Sequence, residues 1–318
     1  MSIPDVSICI MTFNQSRYIR RCVESVLEET LELRAEIIVG DDLSTDDTPA
    51  IVESLRIQYP GRLQYVRHPQ RLGASQNTRA LLDKARADLI ARVDGDDYWL
   101  PGKLRRQLAF LQRHPDCSAV YTNAVTIDEQ GHELGLFNNV GDETMDLDSL
   151  LRRGNFLCNS SVLFRSMHKQ QWLSIEGDLI DYRAHLLHAQ NGPIGHIGEP
   201  LVAYRVNAVG SLVNEANARV RELYWDAILS VPRDKVSQRA FAEGLADFWR
   251  RVALRSIRER RPDLLRRWTP AVLSASPYPA SVTLAFCAFA FGRAVVSELA
   301  GRATTLVSSD RPHILYRR

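Results

Sequence analysis

Short apolar segments alternate with amphipathic segments along the first hundred residues of the chain. The apolar segments are nearly uninterrupted, which is typical of strands buried on both faces of a sheet. The segments between them repeat apolar residues at helical spacing. The pattern predicts strands at 6–11, 36–39, 63–66 and 88–93, and helices at 15–29, 48–59 and 74–87. Such alternation predicts an α/β fold, a mostly parallel central sheet with helices on both faces and right-handed crossovers.

The pattern changes after residue 100. Helices are expected at 101–113 and 181–190, and strands at 118–127, 156–164, 194–197 and 201–206. From about residue 214 the pattern is helical, and its apolar stretch at 280–292 is too short for a bilayer span of about 20 residues. We expect a core or interface helix there, with a membrane-surface helix as the alternative. The predicted domains are 1–212, divided into halves 1–100 and 101–212, and a helical C-terminal region at 213–318.

Polar residues follow three of the predicted strands. They are Thr12-Phe13-Asn14, Asp41-Asp42 and Asp94-Gly95-Asp96-Asp97. Ligands bind at the carboxyl ends of strands in open parallel sheets, so these clusters should meet at one edge. Carboxylates this close repel one another unless a cation binds, and oxygen ligands suit Mg²⁺ or Mn²⁺. The acidic tetrapeptide alone also fits a solvated turn, but three converging clusters favour a metal–phosphate site.

Composition narrows the class of protein. The 318 residues are 45% hydrophobic and 25% charged, an ordinary globular profile. A net charge of +2 gives no reason to expect a nucleic-acid partner. The five scattered cysteines form no Cys-x-x-Cys pair, which argues against disulfides and zinc knuckles and for a reducing, cytoplasmic location. No signal peptide is expected, since the N-terminus lacks a charged region followed by an apolar stretch.

Four segments together resemble the family 2 glycosyltransferases of the GT-A fold. They are VSICIMTFNQSRYIRRCVESVLEET, EIIVGDDLSTDDT, RLGASQNTRALLDKARADLIARVDGDDYWLPGKLRRQ and IGHIGEPLVAYRV. Their order and spacing also resemble the family's, over about residues 4–212. The DGDDYW loop with KLRRQ is the most specific of these matches.

The resemblance implies a GT-A fold, with a Rossmann-like nucleotide-sugar-binding half at 1–100 and an acceptor-binding half at 101–212. It implies transfer of a hexosyl group from a nucleotide-diphosphate donor, a UDP-sugar by expectation, with inversion in one displacement. The cofactor would be Mn²⁺ or Mg²⁺. The acceptor would be a hydroxyl of a glycan or of a lipid-linked molecule, in bacterial cell-surface polysaccharide synthesis.

The resemblance also implies roles for the nucleotide-binding residues. Thr12, Phe13 and Asn14 would line the nucleoside pocket. Asp42, with Asp41 beside it, would accept hydrogen bonds from the base ring.

Four further residues would serve the diphosphate and the metal. Arg79 would approach the diphosphate. Asp94 and Asp96 form the family's Asp-x-Asp pair, with Asp96 the expected direct metal ligand. Asp97 would orient the loop or support the site from behind.

The acceptor hydroxyl must lose a proton, so a carboxylate base is needed opposite the leaving group. In the family this base is an aspartate that opens a helix about a dozen residues before a glycine. Counting back from Gly192 leads to Asp181, with Asp178 as the alternative. Ile180 replaces the glutamate or glycine that the family has before its base, and an apolar neighbour would raise the pKa of Asp181.

Two features depart from the family pattern or suggest other chemistry. Asn207 stands near a point where the family often has histidine, which leaves a further metal or phosphate contact open. His185 and His188 lie one helical turn apart, but no cysteine or third histidine accompanies them. We therefore expect a surface or groove helix there rather than a zinc site.

Rival functions remain. The chain lacks the Gly-x-Gly-x-x-Gly motif of dinucleotide-binding oxidoreductases and the P-loop motif. A metal-dependent phosphohydrolase and a non-catalytic nucleotide-sugar or glycan-binding module stay as alternatives. The arginine-rich region at 248–300 suggests peripheral contact with the inner face of an anionic membrane. A helical cap over the acceptor side and a homo-oligomer interface are the other interpretations of that region.

Overall fold

The computed structural model describes residues 3–206, 217–307 and 313–316. One mixed sheet runs through it, with helices on both faces. In chain order the elements are β1 Val6–Thr12, α1 Ile19–Glu29, β2 Ala35–Asp41, α2 Thr48–Gln58, β3 Leu63–Arg67, α3 Ala74–Lys84, β4 Leu89–Asp94, β5 Tyr98–Trp99, α4 Lys103–Arg113, β6 Ala119–Ile127, β7 Glu133–Asn138, β8 Glu143–Met145, α5 Leu147–Arg153, β9 Leu163–Arg165, α6 Lys169–Leu173, α7 Asp181–Ala189, β10 Ile194–Arg205, α8 Asn217–Leu229, α9 Gln238–Glu259, α10 Asp263–Ala275, α11 Ala280–Val307 and β11 His313–Tyr316.

The first four strands are parallel and lie in the order β3-β2-β1-β4. Side chains of β1 alternate between the two faces of the sheet. Ile8 and Ile10 join the core that includes α1 and α2, whereas Cys9 and Met11 join the core that includes α3. Because both faces are buried, each strand is a continuous apolar run, and the predicted layers are confirmed.

The second half of the sheet is mixed. β9 pairs antiparallel with β4 and β6, β7 forms a hairpin with β6, and β10 runs parallel to β6. The predicted strand at 156–164 is wrong, because Asn159–Ser161 form a 3₁₀ turn and only Leu163–Arg165 pair as a strand. The two strands predicted at 194–206 are one strand, whose register shifts on either side of Pro200. Proline has no N–H to donate to the ladder, which explains an irregularity there.

The C-terminal helices share a core with the sheet. Phe241, Leu245 and Trp268 lie in the same buried cluster as Tyr182 and Leu186 of α7. The helical prediction for this region is confirmed, but the sequence did not predict β11, which pairs with β7.

The apolar stretch expected at 280–292 is part of the longer helix α11. Within the described ranges, no helix combines the length and hydropathy that a membrane crossing needs. All five cysteines are buried and unpaired.

Candidate functional site

The predicted polar clusters meet at the carboxyl edge of the parallel strands. Strand register places Thr12 beside Asp41 and Met11 beside Asp94. The ends of β1, β2 and β4 therefore form one edge, because parallel neighbours bring their carboxyl ends together. The hydroxyl oxygen of Thr12 is buried there and has no hydrogen-bond partner among the described residues, although buried hydroxyls are usually hydrogen-bonded.

The turn after β1 is fixed by the turn after β2. Asn14 adopts a left-handed backbone conformation, with φ of 51°. Its N–H donates to the Ser44 hydroxyl at 2.9 Å, and its side-chain oxygen accepts from the Thr45 N–H at 2.8 Å. These bonds hold the predicted nucleoside-binding turn in a single geometry before any donor binds.

The two adjacent aspartates after β2 have different environments. Asp41 is completely buried, and its oxygens accept from the N–H and hydroxyl of Ser44 and from the Tyr65 hydroxyl, the last at 2.7 Å. Asp41 therefore exposes no oxygen to a ligand and braces the turn from behind. Its predicted position beside Asp42 in the pocket is not what the structure shows.

Asp42 organises the segment that precedes α3. One carboxylate oxygen accepts from the Leu72 N–H at 2.6 Å, and the other accepts from the Gly73 N–H at 3.0 Å and Arg71 Nε at 3.2 Å. The Arg71 guanidinium in turn lies 3.5 Å above the Phe13 ring, a close cation–π contact. The sequence prediction missed Arg71, although it opens one of the matched segments.

The acidic loop after β4 fits tightly against the end of β1. The Gly95 N–H donates to the Met11 carbonyl at 2.8 Å. A Cβ on Gly95 would lie 2.5 Å from the Gln15 side-chain oxygen and 3.1 Å from the Met11 carbonyl oxygen. A larger residue here would have to displace the Gln15 side chain and would crowd the Met11 carbonyl, which favours glycine between the two acids.

Asp97 is held inside the protein rather than presented to the cleft. Its carboxylate accepts from the Ser160 hydroxyl at 2.5 Å and from the Arg205 N–H at 2.8 Å. Arg205 also donates from Nε to the Asp96 carbonyl at 3.1 Å and stacks on Tyr18 at 4.1 Å. Ser160 and Arg205 thus fix the loop. Arg205 lies in the last of the matched segments, but the sequence analysis gave neither residue a role.

The acids of this loop are electrostatically crowded. The pKa of Asp96 is raised to about 6, mainly by burial and also by the Asp94 charge. Burial also raises the pKa of Asp97 well above its usual value, with Asp96 and Asp94 adding to the effect. A cation beside Asp94 and Asp96 would relieve this repulsion.

In the part of the chain that the structure describes, no three His, Cys, Asp or Glu residues are arranged to hold a metal. Two carboxylates fit Mg²⁺ or Mn²⁺, which keeps positions for phosphate oxygens and water. The donor set thus fits a cation that is shared with a diphosphate.

Asp181 interacts electrostatically with this loop. It is the first residue of α7 and is exposed to solvent, even though protein atoms pack closely around its carboxyl group. Its pKa is raised to about 6, mainly because protein surrounds the carboxyl group and also because of the Asp94 charge, whereas the Arg92 guanidinium opposes the rise. The alternative, Asp178, is 65% exposed and pairs with Arg219 at 3.4 Å. Only Asp181 shares the electrostatic environment of the acidic loop.

Helix α3 anchors the loop in front of α7. Arg79 Nη2 donates to the Gly177 carbonyl at 2.7 Å, and the Leu179 N–H donates to the Ser75 hydroxyl at 2.8 Å. The other terminal nitrogen of Arg79, Nη1, is buried without a partner among the described residues. Arg79 can therefore hold the loop and still offer a donor to an anion.

The two histidines of α7 are not at a surface or groove, so that expectation is wrong. His185 and His188 are both buried, and burial lowers the pKa of each well below its usual value. His185 Nδ1 lies 2.7 Å from the Tyr121 hydroxyl. Both rings are neutral core residues. Asn207 lies outside the described residues.

Sequence comparison agrees with this geometry. A family model described as Glycosyl transferase family 2 matches residues 7–171, more than half of the chain. An uncharacterized protein of Mycobacterium tuberculosis is 31% identical over 207 residues, which are 64% of this chain and 60% of that protein. The putative glycosyltransferase EpsE of Bacillus subtilis is 35% identical, covering 51% of this chain and 57% of EpsE. The chain therefore spans about 60% of the length of the first of these curated relatives.

Solved structures with the same fold include two with nucleotide sugars. Staphylococcus aureus TarS, in complex with UDP-GlcNAc, matches with a TM-score of 0.58 at 17% identity, over 86% of this chain and 93% of TarS. The mannosyltransferase PcManGT of Pyrobaculum calidifontis, in complex with GDP-Man and Mn²⁺, matches with a TM-score of 0.57 at 16% identity. The match covers 96% of this chain and 81% of PcManGT. These likenesses confirm the predicted GT-A fold.

Proposed function

Because this chain belongs to glycosyl transferase family 2, we propose that it transfers a hexosyl group from a nucleotide-diphosphate sugar to an acceptor hydroxyl, with inversion. The nucleoside binds at the turn after β1, where Thr12, Phe13 and Asn14 line the pocket. Asp42 and Arg71 shape its far wall, and Asp41 supports that wall from behind. The buried hydroxyl of Thr12, which lacks a partner among the described residues, supports this placement.

Asp94 and Asp96 would hold Mn²⁺ or Mg²⁺, with Asp96 as the direct ligand. When bound, such an ion offsets the negative charge that develops on the leaving diphosphate. Arg79 contributes a fixed positive charge to the same group from α3. Asp97, held by Ser160 and the Arg205 N–H, keeps the loop in place without contacting the donor.

Asp181 would act as the general base. Its ionised carboxylate takes the proton of the acceptor hydroxyl while that oxygen attacks the anomeric carbon and the sugar–phosphate bond breaks. Attack from the face opposite the diphosphate inverts the anomeric centre. A base pKa near 6 suits this step, because the carboxylate is ionised at neutral pH and still a better base than an exposed aspartate.

One observation carries the proposal: the Asp94 charge contributes to the raised pKa of Asp181, so the first carboxylate of α7 interacts electrostatically with the acidic loop after β4. The test compares Asp181→Asn with Asp178→Asn. We expect Asp181→Asn to lower kcat by about 10²–10⁴-fold, the usual contribution of a positioned base. UDP-dependent thermal stabilisation should be unchanged in both variants, and Asp178→Asn should stay within a few-fold of wild type.

A large loss of kcat in Asp178→Asn, with little loss in Asp181→Asn, would assign the base to Asp178. Wild-type kcat in both variants would show that neither aspartate acts as the base. Release of phosphate from simple phosphomonoesters without sugar transfer would instead favour the phosphohydrolase alternative, and donor binding without turnover would favour the binding module.

The donor and acceptor are further parts of the proposal. TarS was solved with UDP-GlcNAc and PcManGT with GDP-Man, so both nucleotides belong in the screen. A chondroitin synthase of Escherichia coli is 29% identical over 204 residues, 62% of this chain and 28% of that protein. This likeness supports a role in polysaccharide synthesis with a glycan acceptor. We extend the proposal to a lipid-linked acceptor and to cell-surface polysaccharide synthesis on the cytoplasmic side. A thermal-shift screen of UDP- and GDP-sugars with Mn²⁺ identifies the donor, since binding at 100 times Kd adds about 2.7 kcal/mol of stability.

A further inference from the structure

The outward face of α11 is apolar. Thr283 and Cys287 are buried on the side that packs against α9, where Trp249 contacts Phe291 at 6.4 Å between ring centroids. The opposite side of the helix should carry polar residues if it faced water alone. Instead, Phe289 is 67% exposed and Val296 is 66% exposed.

This surface is continuous along the helix. The α11 outer face consists of Val282, Ala285, Ala288, Phe289, Gly292 and Val296, all of them exposed. At 1.5 Å per residue it extends for about 21 Å. Exposed apolar patches of this kind on a single chain usually mark a contact with a protein or a membrane.

The charge of the C-terminal region points to an anionic partner. Residues 248–296 contain nine arginines and two acids, a net charge of +7 in a chain whose total is +2. Three of these arginines pair with acids outside that range, Arg250 and Arg251 with Asp247 and Arg267 with Glu222. Arg293 lies on α11 itself, with its guanidinium 5.9 Å from the Phe289 ring. Arg258, Arg260 and Arg266 are exposed, and the structure shows no ion pair for them within the ranges it describes.

We propose that the α11 outer face docks in the interfacial region of an anionic lipid bilayer, with Arg293 and the exposed arginines of the C-terminal region against phosphate headgroups. An exposed apolar face with an arginine beside it, in a region of net positive charge, matches the layered chemistry of that interface. A second copy of the chain fits less well, because a two-fold contact would bring two surfaces of the same strong positive charge together.

Docking through α11 would also fix the orientation of the candidate active site relative to the membrane. Helix α8, which belongs to the same C-terminal helical region, packs against α7 through Tyr224 and Tyr182, 5.5 Å apart between ring centroids. Helix α9 packs against both α8 and α11, so the α11 outer face is connected through packed helices to the helix that carries Asp181. The idea that docking brings a lipid-linked acceptor to the site rests on the proposed function, whereas the docking proposal itself does not.

The test is flotation of the full chain with vesicles of phosphatidylcholine, alone or mixed with phosphatidylglycerol. We expect flotation with the mixed vesicles, and about tenfold less with phosphatidylcholine alone or at high salt, where headgroup attraction is screened. Phe289→Glu should lower flotation about tenfold, because a carboxylate then enters the apolar contact. Ile57→Glu is the matched control, since Ile57 is 71% exposed on α2, and it should float like wild type.

Light scattering without vesicles addresses the second-copy alternative. A wild-type dimer that Phe289→Glu converts to monomer would overturn the proposal and assign the face to a homodimer. Flotation that does not depend on phosphatidylglycerol, or that Phe289→Glu leaves unchanged, would overturn it too. UDP-dependent thermal shifts, measured on the same samples, report the donor site separately and show that each variant is folded.

Discussion

At the residue scale, the chemistry of the site depends on where each carboxylate lies rather than on how many there are. Asp41 and Asp42 are neighbours in sequence, yet one is sealed inside the turn and the other holds the Leu72 and Gly73 amides. Asp97 is likewise sealed, whereas Asp96 is partly open to the cleft. Whether a carboxylate is partly exposed therefore decides whether it can contact a ligand.

The raised pKa of Asp181 predicts an acid limb in the rate profile. The base works when ionised, so protonation below about pH 6 should lower kcat/KM for the donor about tenfold per pH unit. The measurement is kcat/KM from pH 5 to 8, with the residual rate of Asp181→Asn as the control. If the residual kcat/KM of Asp181→Asn still falls below about pH 6 as in the wild type, a group other than Asp181 is responsible for the fall.

Asp96 should decide metal-dependent nucleotide binding. We expect UDP to stabilise the wild type more in Mn²⁺ than in chelator, by about 2–4 kcal/mol at saturating ligand. Asp96→Asn should lose most of that difference, because it removes a charged oxygen ligand. Asp83→Asn, an exposed acid on α3, is the control and should retain it. Equal stabilisation in metal and in chelator for the wild type would contradict a metal role.

At the scale of elements, close contact between α3 and β2 fixes the edge that carries the site. The Asn77 side chain of α3 donates to the Gly40 carbonyl at 2.9 Å and contacts His68 Nε2 at 2.9 Å. A Cβ at Gly40 would lie 2.5 Å from the Asn77 oxygen and 2.7 Å from Leu81. Glycine at the end of β2 therefore permits α3 to approach the strand.

Gly40→Ala should destabilise the protein by about 1–3 kcal/mol, because the added methyl overpacks a buried contact. It should also lower nucleotide affinity, since Asp41 and Asp42 follow directly. Gly292→Ala is the contrast, because open space surrounds that position and alanine favours a helix by up to about 1 kcal/mol. Chemical denaturation measures both, and equal stability of the two variants would contradict the packing argument.

At the scale of the whole molecule, the C-terminal helices and the sheet form one hydrophobic core. Helix α9 packs against α5, and the Arg251–Asp247 pair lies beside Gly154, which follows α5. The boundary predicted near residue 212 separates two patterns in sequence, but the buried cluster continues across it. Helix α7 lies within that cluster, so the position of Asp181 depends on the C-terminal helices.

A chain cut between residues 206 and 217 should therefore not yield two independently stable units. We expect fragment 1–206 alone to aggregate or to lack cooperative unfolding, because removal of α9 and α10 exposes the apolar surface of α5 and α7. Co-expression of 1–206 with 217–318 should restore a soluble complex. Calorimetry of each fragment measures this, and a cooperative transition in fragment 1–206 alone would refute it.

The sequence by itself determined the layered sheet and the edge at which the polar clusters meet. Buried parallel strands produce uninterrupted apolar runs, and their carboxyl ends must lie together, so Thr12, Asp42 and Asp94 could be placed without coordinates. It also placed Asp181 at the start of a helix. These features depend on short-range pattern and on chain topology.

Only the tertiary structure decided which side chains are open and which support them. Arg71, Ser160 and Arg205 act through contacts between segments distant in sequence. Arg71 and Arg205 lie in segments that resemble the family, but no pattern indicates which side chains they contact. His185 and His188 look like surface residues in isolation, but the core around α7 buries them. Burial is a property of everything that packs around a residue, so it follows from the assembled fold and not from the residue's own segment.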